Sequence, residues 1–595
     1  MCEDKISKEA VALAASDPAA DPVVKEMAWD PITRVAGGLA FECKADLTNK
    51  RFIDPHATAT LFRGYEVILK GRDPRDAVFI SSRACGVCGG VHSTCSAMAQ
   101  EMAYKCPPPP LGIVTRNLGE AAEMMYDHPL INFNLIGPDY SEVLVKGTNP
   151  KLLEQANKTP AEHKDIHGYA TIGDIMRSLN PLTGKAYVEG LQISRVAREM
   201  ASLMLGKYPH PSTILPGGVS TTLSVTTFNE YYVRLIKFID YAKKMVTFWD
   251  DLVNFFYASD PDYEKVGSRP HNLNCLGIYD DPEVCDYTYE HADEWGEKRM
   301  VTPGVIINGE LKTTKLIEIH LGAEEYVEHS YYEKWDGGKP YVEKDPLGNP
   351  VGRFHGWNKV TIPKPGPINY AEKYSWACTP RWGPDHLTME SGPIARHWVT
   401  ALAGKVNTQF IKATGSSIKM TLPKATMPEM EFTWKIPRTL NALERGPKAR
   451  AYHTAYAVLV GLMFLLKAFE LLRAGKTKTW TEFKIPDRCI GVGFHEAGRG
   501  WLSHHLVVEG GKIANYQILT PSTWMASPRD PWGKPGPYEE SVMNTPILEE
   551  ITTPEAFKGI DVLRTIRSFD PCMPCTVHMY TGNGVVKSEV SSCCS

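Results

Sequence analysis

Residues 225–256 carry the clearest periodic signal in the chain. Tyr232, Leu235, Ile236, Ile239, Tyr241, Met245, Phe248 and Leu252 recur at roughly helical intervals, which predicts a helix with one face packed into a core. Residues 110–126, 190–205 and 448–474 predict further helices. The last contains AYAVLVGLMFLL at 455–466, about half of a membrane-spanning length, with Lys467 and Glu470 following. It reads as a buried core helix. Residues 27–54 read as strands and turns broken at Gly37-Gly38, and 1–26 as a loose, alanine- and acid-rich leader. From about 259 to 380 the chain turns rich in Tyr, Trp, Gly, Pro and charge, which predicts a mixed strand-and-loop region at the surface. There is no internal repeat; Pro107–Pro110 is a short rigid spacer.

The chain has 595 residues, 43% hydrophobic and 23% charged, which fits several domains or one large enzyme body and excludes a disordered or fibrous protein. Its net charge of −4 supplies no field for nucleic acid. The first thirty residues have early acids and no sustained apolar core, so they do not read as a secretory signal. The expectation is a soluble chain, cytoplasmic, or membrane-associated or exported only through a partner.

Fourteen cysteines are too few for a disulfide scaffold, and most read as buried free thiols. Four are organised. SSRACGVCGGVH holds Arg83, Cys85, Cys88 and His92; SFDPCMPCTVH holds Asp570, Cys572, Cys575 and His578. Each pair offers two soft thiolates at a spacing that grips one metal. A structural zinc site of four cysteines and a thiol redox pair both fit the cysteines alone. The separation tells against a zinc clip: Cys85 and Cys572 lie 487 residues apart, whereas zinc ribbons close about 15–20 residues between pairs. If the four thiolates meet, they meet inside the body and need metal and positive charge around them.

With these motifs stand several further segments: DPITRVAGG at 30–38, FRGYEVILKGRDPRDA at 62–77, DHPLINFNLIGPDY at 127–140, KYPHPSTILPGGVS at 207–220, and the stretch 496–530 that begins EAGRGWLSHH. From about Trp29 onward the chain resembles the large, catalytic subunit of nickel–iron hydrogenases, with features suggestive of the high-affinity uptake type. The resemblance implies a mainly α fold with a central bundle of long helices and a peripheral mixed α+β region: a leader 1–26, a body 27–578, and a tail 579–595 removed on maturation. It implies nickel held by Cys85, Cys88, Cys572 and Cys575, with Cys88 and Cys575 bridging to an iron that carries two cyanides and one carbon monoxide. Arg499 then stands over the metals, Asp139 and Asp570 orient it, and His92 hydrogen-bonds Cys88. Glu66 and His578 serve a magnesium ion. The activity implied is heterolytic oxidation of dihydrogen to protons and electrons. The partners implied are an iron–sulfur small subunit, a maturation endopeptidase and further copies in an oligomer of heterodimers.

Two rivals share the scaffold. One is a hydrogen-sensing regulatory subunit, which the tail after His578 opposes because sensor versions generally lack one. The other is a non-catalytic relative, which the four intact cysteines oppose. One departure stands out. Where the family usually reads Arg-x-Glu-Gly-His, this chain has Arg34-Val35-Ala36-Gly37-Gly38, so the carboxylate that passes protons from a nickel thiolate is missing. An alanine methyl cannot relay a proton. The expected substitutes are a water chain at Ala36, or an exit through Arg499 and Asp139 or Asp570.

Overall fold

The computed structural model describes residues 23–573 and the backbone of 577–581 and 584–588. The leader up to residue 22, the whole of Cys575 and the side chain of His578 lie outside the described residues. The strands expected in 27–54 form an antiparallel sheet of β1 (Val24–Trp29), β2 (Leu39–Asp46) and β3 (Arg51–Ala59). Two short helices follow, α1 (Tyr65–Leu69) and α2 (Asp76–Ser82). Then comes α3 (Gly89–Tyr104), every residue of which is buried. A helix covered on all sides shows no alternating face, which is why no helix was expected there.

Three long helices appear where expected, each overrunning the expected bounds by a few residues. Pro110 opens α4 (Pro110–Leu130) at its first turn, where its missing N–H leaves no bond unmade. The others are α5 (Lys185–Leu205) and α6 (Val225–Ser259). The Ser224 hydroxyl caps α6 by accepting from Thr227 N–H at 3.3 Å. α4 packs on α5, and α5 on α6. Phe133, Phe248, Trp249, Tyr140 and Phe256 interlock between α6 and the turn that ends α4.

Residues 259–380 hold short strands and helices, among them α7 (Leu316–Leu321). The region is not all surface: Trp295, Trp335 and Trp357 are all buried. Trp295 and Trp357 share one hydrophobic cluster with Leu39 and Phe41 of β2. Their indole N–H groups donate to Thr288 and Gly491 carbonyls, each at 3.0 Å, so these polar-looking aromatics are satisfied indoors.

Beyond them lie α8 (Pro393–Ala403) and α9 (Ala449–Arg473). α9, which packs on α4 and α6, carries the 455–466 run. It is part of the one helical stretch among the described residues long and apolar enough to cross a membrane, and 61% of that stretch's apolar window is buried. An antiparallel meander follows, β4 (Arg488–Ala497), β5 (Gly500–Glu509) and β6 (Lys512–Leu519). Gly510 and Gly511, at φ 59° and 65°, make the tight turn between β5 and β6 that only left-handed backbone allows. The chain then runs through α10 (Pro537–Met543) and α11 (Ile560–Ser568) to the second cysteine motif.

β4 lies directly on α3. A Cβ at Gly491 or Gly493 would stand 2.0 Å from the carbonyl oxygen of Ala99 or Cys95. Because the obstacle is helix backbone, Gly493→Ala is expected to lower unfolding stability by about 3 kcal/mol or more, read as a fall in the denaturant midpoint. A second expectation concerns pH. Glu539 on α10 is fully buried and accepts from Ala57 N–H (3.1 Å) and the Tyr374 hydroxyl (2.9 Å). Burial pushes its carboxyl up to about 7. Its contribution is therefore full below the unfolded value near 4.5 and is lost as pH rises through about 7. Glu539→Gln should flatten the decline in stability between those limits, by roughly 1–3 kcal/mol, in melts recorded across pH.

Candidate metal centre

The Cys85–Cys88 loop joins α2 to α3, and Cys88 is the residue from which α3 starts. Cys85 Sγ accepts the N–H groups of Val87 (3.3 Å) and Cys88 (3.2 Å), an arrangement that favours a thiolate. From the far end of the chain Cys572 Sγ comes to 2.9 Å of Cys85 Sγ. That is too long for a disulfide and short enough that the sulfurs share a proton or an ion. Cys85, Cys88 and Cys572 offer sulfurs that all lie within 4.8 Å of one another. Hydrogen bonds from the Cys572 and Cys88 thiols hold Cys85 well below the ordinary thiol range.

The segment bearing Cys572 is fixed on both sides. Ala36 N–H donates to the Pro571 carbonyl (3.0 Å) and Met573 N–H to the Ala36 carbonyl (2.6 Å), a parallel bridge between Ala36 and Cys572. Cys572 N–H donates to Ser522 Oγ at 3.0 Å. The missing carboxylate at position 36 would therefore have stood directly beside Cys572.

Arg499 occupies the two-residue turn between β4 and β5, where Ala497 pairs with Gly500. It is 1% exposed. Nη1 donates to Asp127 Oδ1 (3.0 Å), Nη2 to Asp570 Oδ1 (2.9 Å), and Nε to the Asp570 carbonyl (3.1 Å). A Cβ at Gly498 would lie 2.4 Å from Asp127 Oδ2, so glycine there lets the carboxylate in. Arg396 on α8 donates to the carbonyls of Ala497 and Gly498, both at 2.7 Å, and pins the turn from behind. Arg450 lies 3.6 Å from the other Asp570 oxygen. Burial works against an Asp127 anion, yet the Arg499 guanidinium holds its carboxyl well below the usual range. Burial pushes Asp570 the other way, up to about 7.

Two expected partnerships differ. Asp139, assigned to Arg499 in the sequence, instead bonds Arg34 and Arg567 Nη1 (2.7 Å), and its carbonyl accepts from Arg564 Nη2 (3.0 Å). The π-type turn at Ile131–Ile136 and the tight turn at Gly137–Tyr140 carry it past the end of α4, out of line with Asp127. Asp127 was missed, although a signal was present: Arg116, Glu120, Glu123 and Asp127 fall at steps of four, three and four, one buried ionisable stripe on α4. The hydrogen bond of the His92 ring runs from Nδ1 to His504 Nε2 (3.1 Å), not to Cys88. His504 Nδ1 continues to the Tyr516 hydroxyl (2.7 Å) and that to Ser96 (2.7 Å).

Glu66 lies on α1. Its carboxylate accepts Ile518 N–H (3.0 Å) and the Thr361 hydroxyl, with Lys359 Nζ at 3.6 Å. It lines a cleft of about 180 Å³ together with Ile518, Ser522, Cys572 and Met573. Glu66 and Cys572 thus face one space.

The sequence profile of the family described as nickel-dependent hydrogenase matches residues 63–169 and 174–578. The chain belongs to that family. It is 30% identical to the Hydrogenase-1 large chain of Escherichia coli (strain K12), over 94% of this chain and 96% of that one. It is also 30% identical to the uptake hydrogenase large subunit of Rhizobium leguminosarum bv. viciae, over 95% and 97%. Among solved structures, an actinobacterial-type NiFe-hydrogenase from Ralstonia eutropha H16 superposes with a TM-score of 0.91 at 50% identity, covering 93% of this chain and 100% of the other. The fold is that of hydrogenase large subunits, and the protein is a hydrogenase, an oxidoreductase acting on dihydrogen, of a family that carries a nickel–iron centre. The donor set fits such a group: buried thiols converge with a fixed cation beside them.

Removing one member of the buried ion set leaves a charge stranded. Asp127→Ala is expected to lower unfolding stability by about 3–5 kcal/mol, checked by chemical denaturation against the parent chain.

Proposed function

We propose that this chain is the catalytic subunit of a nickel–iron hydrogenase that oxidises dihydrogen to two protons and two electrons and passes the electrons to an iron–sulfur small subunit. The observation that carries the reading is the approach of Cys85 and Cys572 to 2.9 Å across 487 residues of chain. Cys85, Cys88, Cys572 and Cys575 would hold the nickel, with Cys88 and Cys575 shared with an iron bearing cyanide and carbon monoxide. Soft thiolates suit both metals. When bound, the group supplies the place where dihydrogen is split and its electrons are withdrawn.

The chain's own groups do the rest. Of Cys85, Cys88 and Cys572, only Cys572 lines the cleft, which suits it to hold the departing proton. Arg499 stays charged because Asp127 and Asp570 face it, and a fixed cation in a dry pocket favours negative charge on whatever binds between it and the thiolates. Ala36 offers backbone groups to the Cys572 segment but no acid, so the proton leaves by water in the cleft or towards Asp570. The other described cysteines are single, buried or half-buried thiols that supply no cluster ligands, which is why the electrons need a partner subunit.

Glu66 offers a hard oxygen at the same cleft and would take magnesium together with the His578 side chain. The 17 residues 579–595 follow that histidine, and their removal by a maturation endopeptidase would bring a new carboxyl end to it.

Three outcomes are expected. The chain purified with its partner should reduce a dye when hydrogen is supplied, contain nickel and iron, and show infrared bands of bound carbon monoxide and cyanide; zinc alone would refute the reading. Cys572→Ser should abolish hydrogen oxidation, and Arg499→Lys should lose about 10²-fold in hydrogen–deuterium exchange, because a lysine lacks the planar fork held by two carboxylates. Intact-mass measurement of active enzyme should show the chain ending at His578; activity in a chain that retains Met579 onward would exclude the cleavage.

A further inference from the structure

Three histidines outside the thiolate site meet in the interior. His320 lies on α7, His505 on β5, and His355 in the loop between them. All three are buried, and a nitrogen of each lies within 4.8 Å of the others. The His320 and His505 rings stack at 5.2 Å, and His355 stands edge-on to both, with centroids at 4.4 and 5.3 Å. Gly356 makes this possible, since a Cβ there would lie 2.4 Å from His505 Cε1.

The ring nitrogens and their neighbours bear on what the cluster can hold. His320 Nδ1 faces the Tyr289 hydroxyl at 3.3 Å. That hydroxyl also faces the Asp345 carboxylate, which only accepts. With the Tyr289 hydroxyl turned towards Asp345, His320 Nδ1 carries the N–H and its lone pair sits on Nε2. The Gln517 carbonyl lies beside the His505 ring and favours an N–H there, though short of full hydrogen-bond geometry. An N–H on Nδ1 leaves the His505 lone pair on Nε2, towards His320. His320 Nε2 and His505 Nε2 lie 3.1 Å apart, a spacing that a shared proton or a shared cation satisfies.

We propose that His320, His505 and His355 form a binding site for a divalent transition ion of the zinc class, separate from the thiolate centre. Bonds of about 2.0–2.1 Å at tetrahedral angles span about 3.3 Å between donors, close to the 3.1 Å between His320 Nε2 and His505 Nε2. Burial holds His355 down to about 4 and the other two well below their ordinary value, so all three are neutral ligands at physiological pH. His355 Nε2 has no hydrogen-bond partner, while Nδ1 accepts Trp357 N–H at 3.2 Å; to join the other two as a ligand this ring would change tautomer or turn over and give up the Trp357 bond. Asp345, reached through Tyr289, is the outer carboxylate that such sites use to orient a ligating imidazole. The nearby Lys359 ammonium is already engaged by Glu325 at 3.0 Å. The ion would tie α7 and the 355–357 loop to the strand that follows Arg499.

The test is elemental analysis of the full chain, purified from its own host without chelator and with whatever co-purifies, joined to anomalous diffraction at the edge of any extra element found. One zinc-class ion per chain beyond nickel and iron, with an anomalous peak between the three rings, is the expected result. His505→Gln should lose that ion, keep its nickel and melt at a lower temperature. No extra ion in the wild type, a peak elsewhere, or an undiminished ion in folded His505→Gln would each overturn the site. Should that variant not fold, the wild-type anomalous map decides alone, since a map flat at the rings overturns it. None of these readings depends on hydrogen oxidation.

Discussion

A guanidinium that is almost wholly sealed from water sets the terms for everything around it. An unpaired buried charge costs several kcal/mol, so Arg499 can exist where it does only with Asp127 and Asp570 at hydrogen-bond distance. Those carboxylates in turn require a helix that runs unbroken to Asp127 and a chain end that turns sharply at Asp570, where the backbone takes φ 56°. Aspartate tolerates this left-handed region better than most residues. Arg450 and Arg396 hold the same pieces from behind. The thiols sit at the rim of this charged frame, so their geometry follows from the ion set.

Asp139 performs a comparable service one layer further out. By gathering Arg34, Arg564 and Arg567, it ties the segment before Ala36 to the helix before Cys572. The two strands of the parallel bridge are thus set in register by charge on one side and by backbone hydrogen bonds on the other. A single aspartate engages three arginines here, two on the carboxylate oxygen Oδ1 and one on the backbone carbonyl.

Much of this was legible in the residues. The two cysteine pairs carry their chemistry in short local motifs and three long helices show in their apolar spacing, whereas Arg499 and Asp570 came into view only through the resemblance of their segments to the hydrogenase family. α3 left no trace because burial on all sides erases periodicity. The burial of Trp295 and Trp357 within 259–380 left no mark in the sequence because composition does not reveal that an indole N–H has found a carbonyl. Choosing between Asp127 and Asp139 needed the path of the chain through a π-type turn, which no propensity records. The three histidines come from segments more than thirty residues apart, and only the fold makes them neighbours.

The bridge between Ala36 and Cys572 also imposes an order in time. At about 5–20 residues per second, the ribosome adds Cys572 roughly half a minute to a minute and a half after Cys88. Through that interval the first two thiols stand in a half-built cavity whose last wall has not been made, open to oxygen and to any stray metal in the cell. A fold that closes its centre with a late segment therefore leaves a window for an ordered delivery of ions, and needs something to occupy or guard the first pair until the final segment arrives.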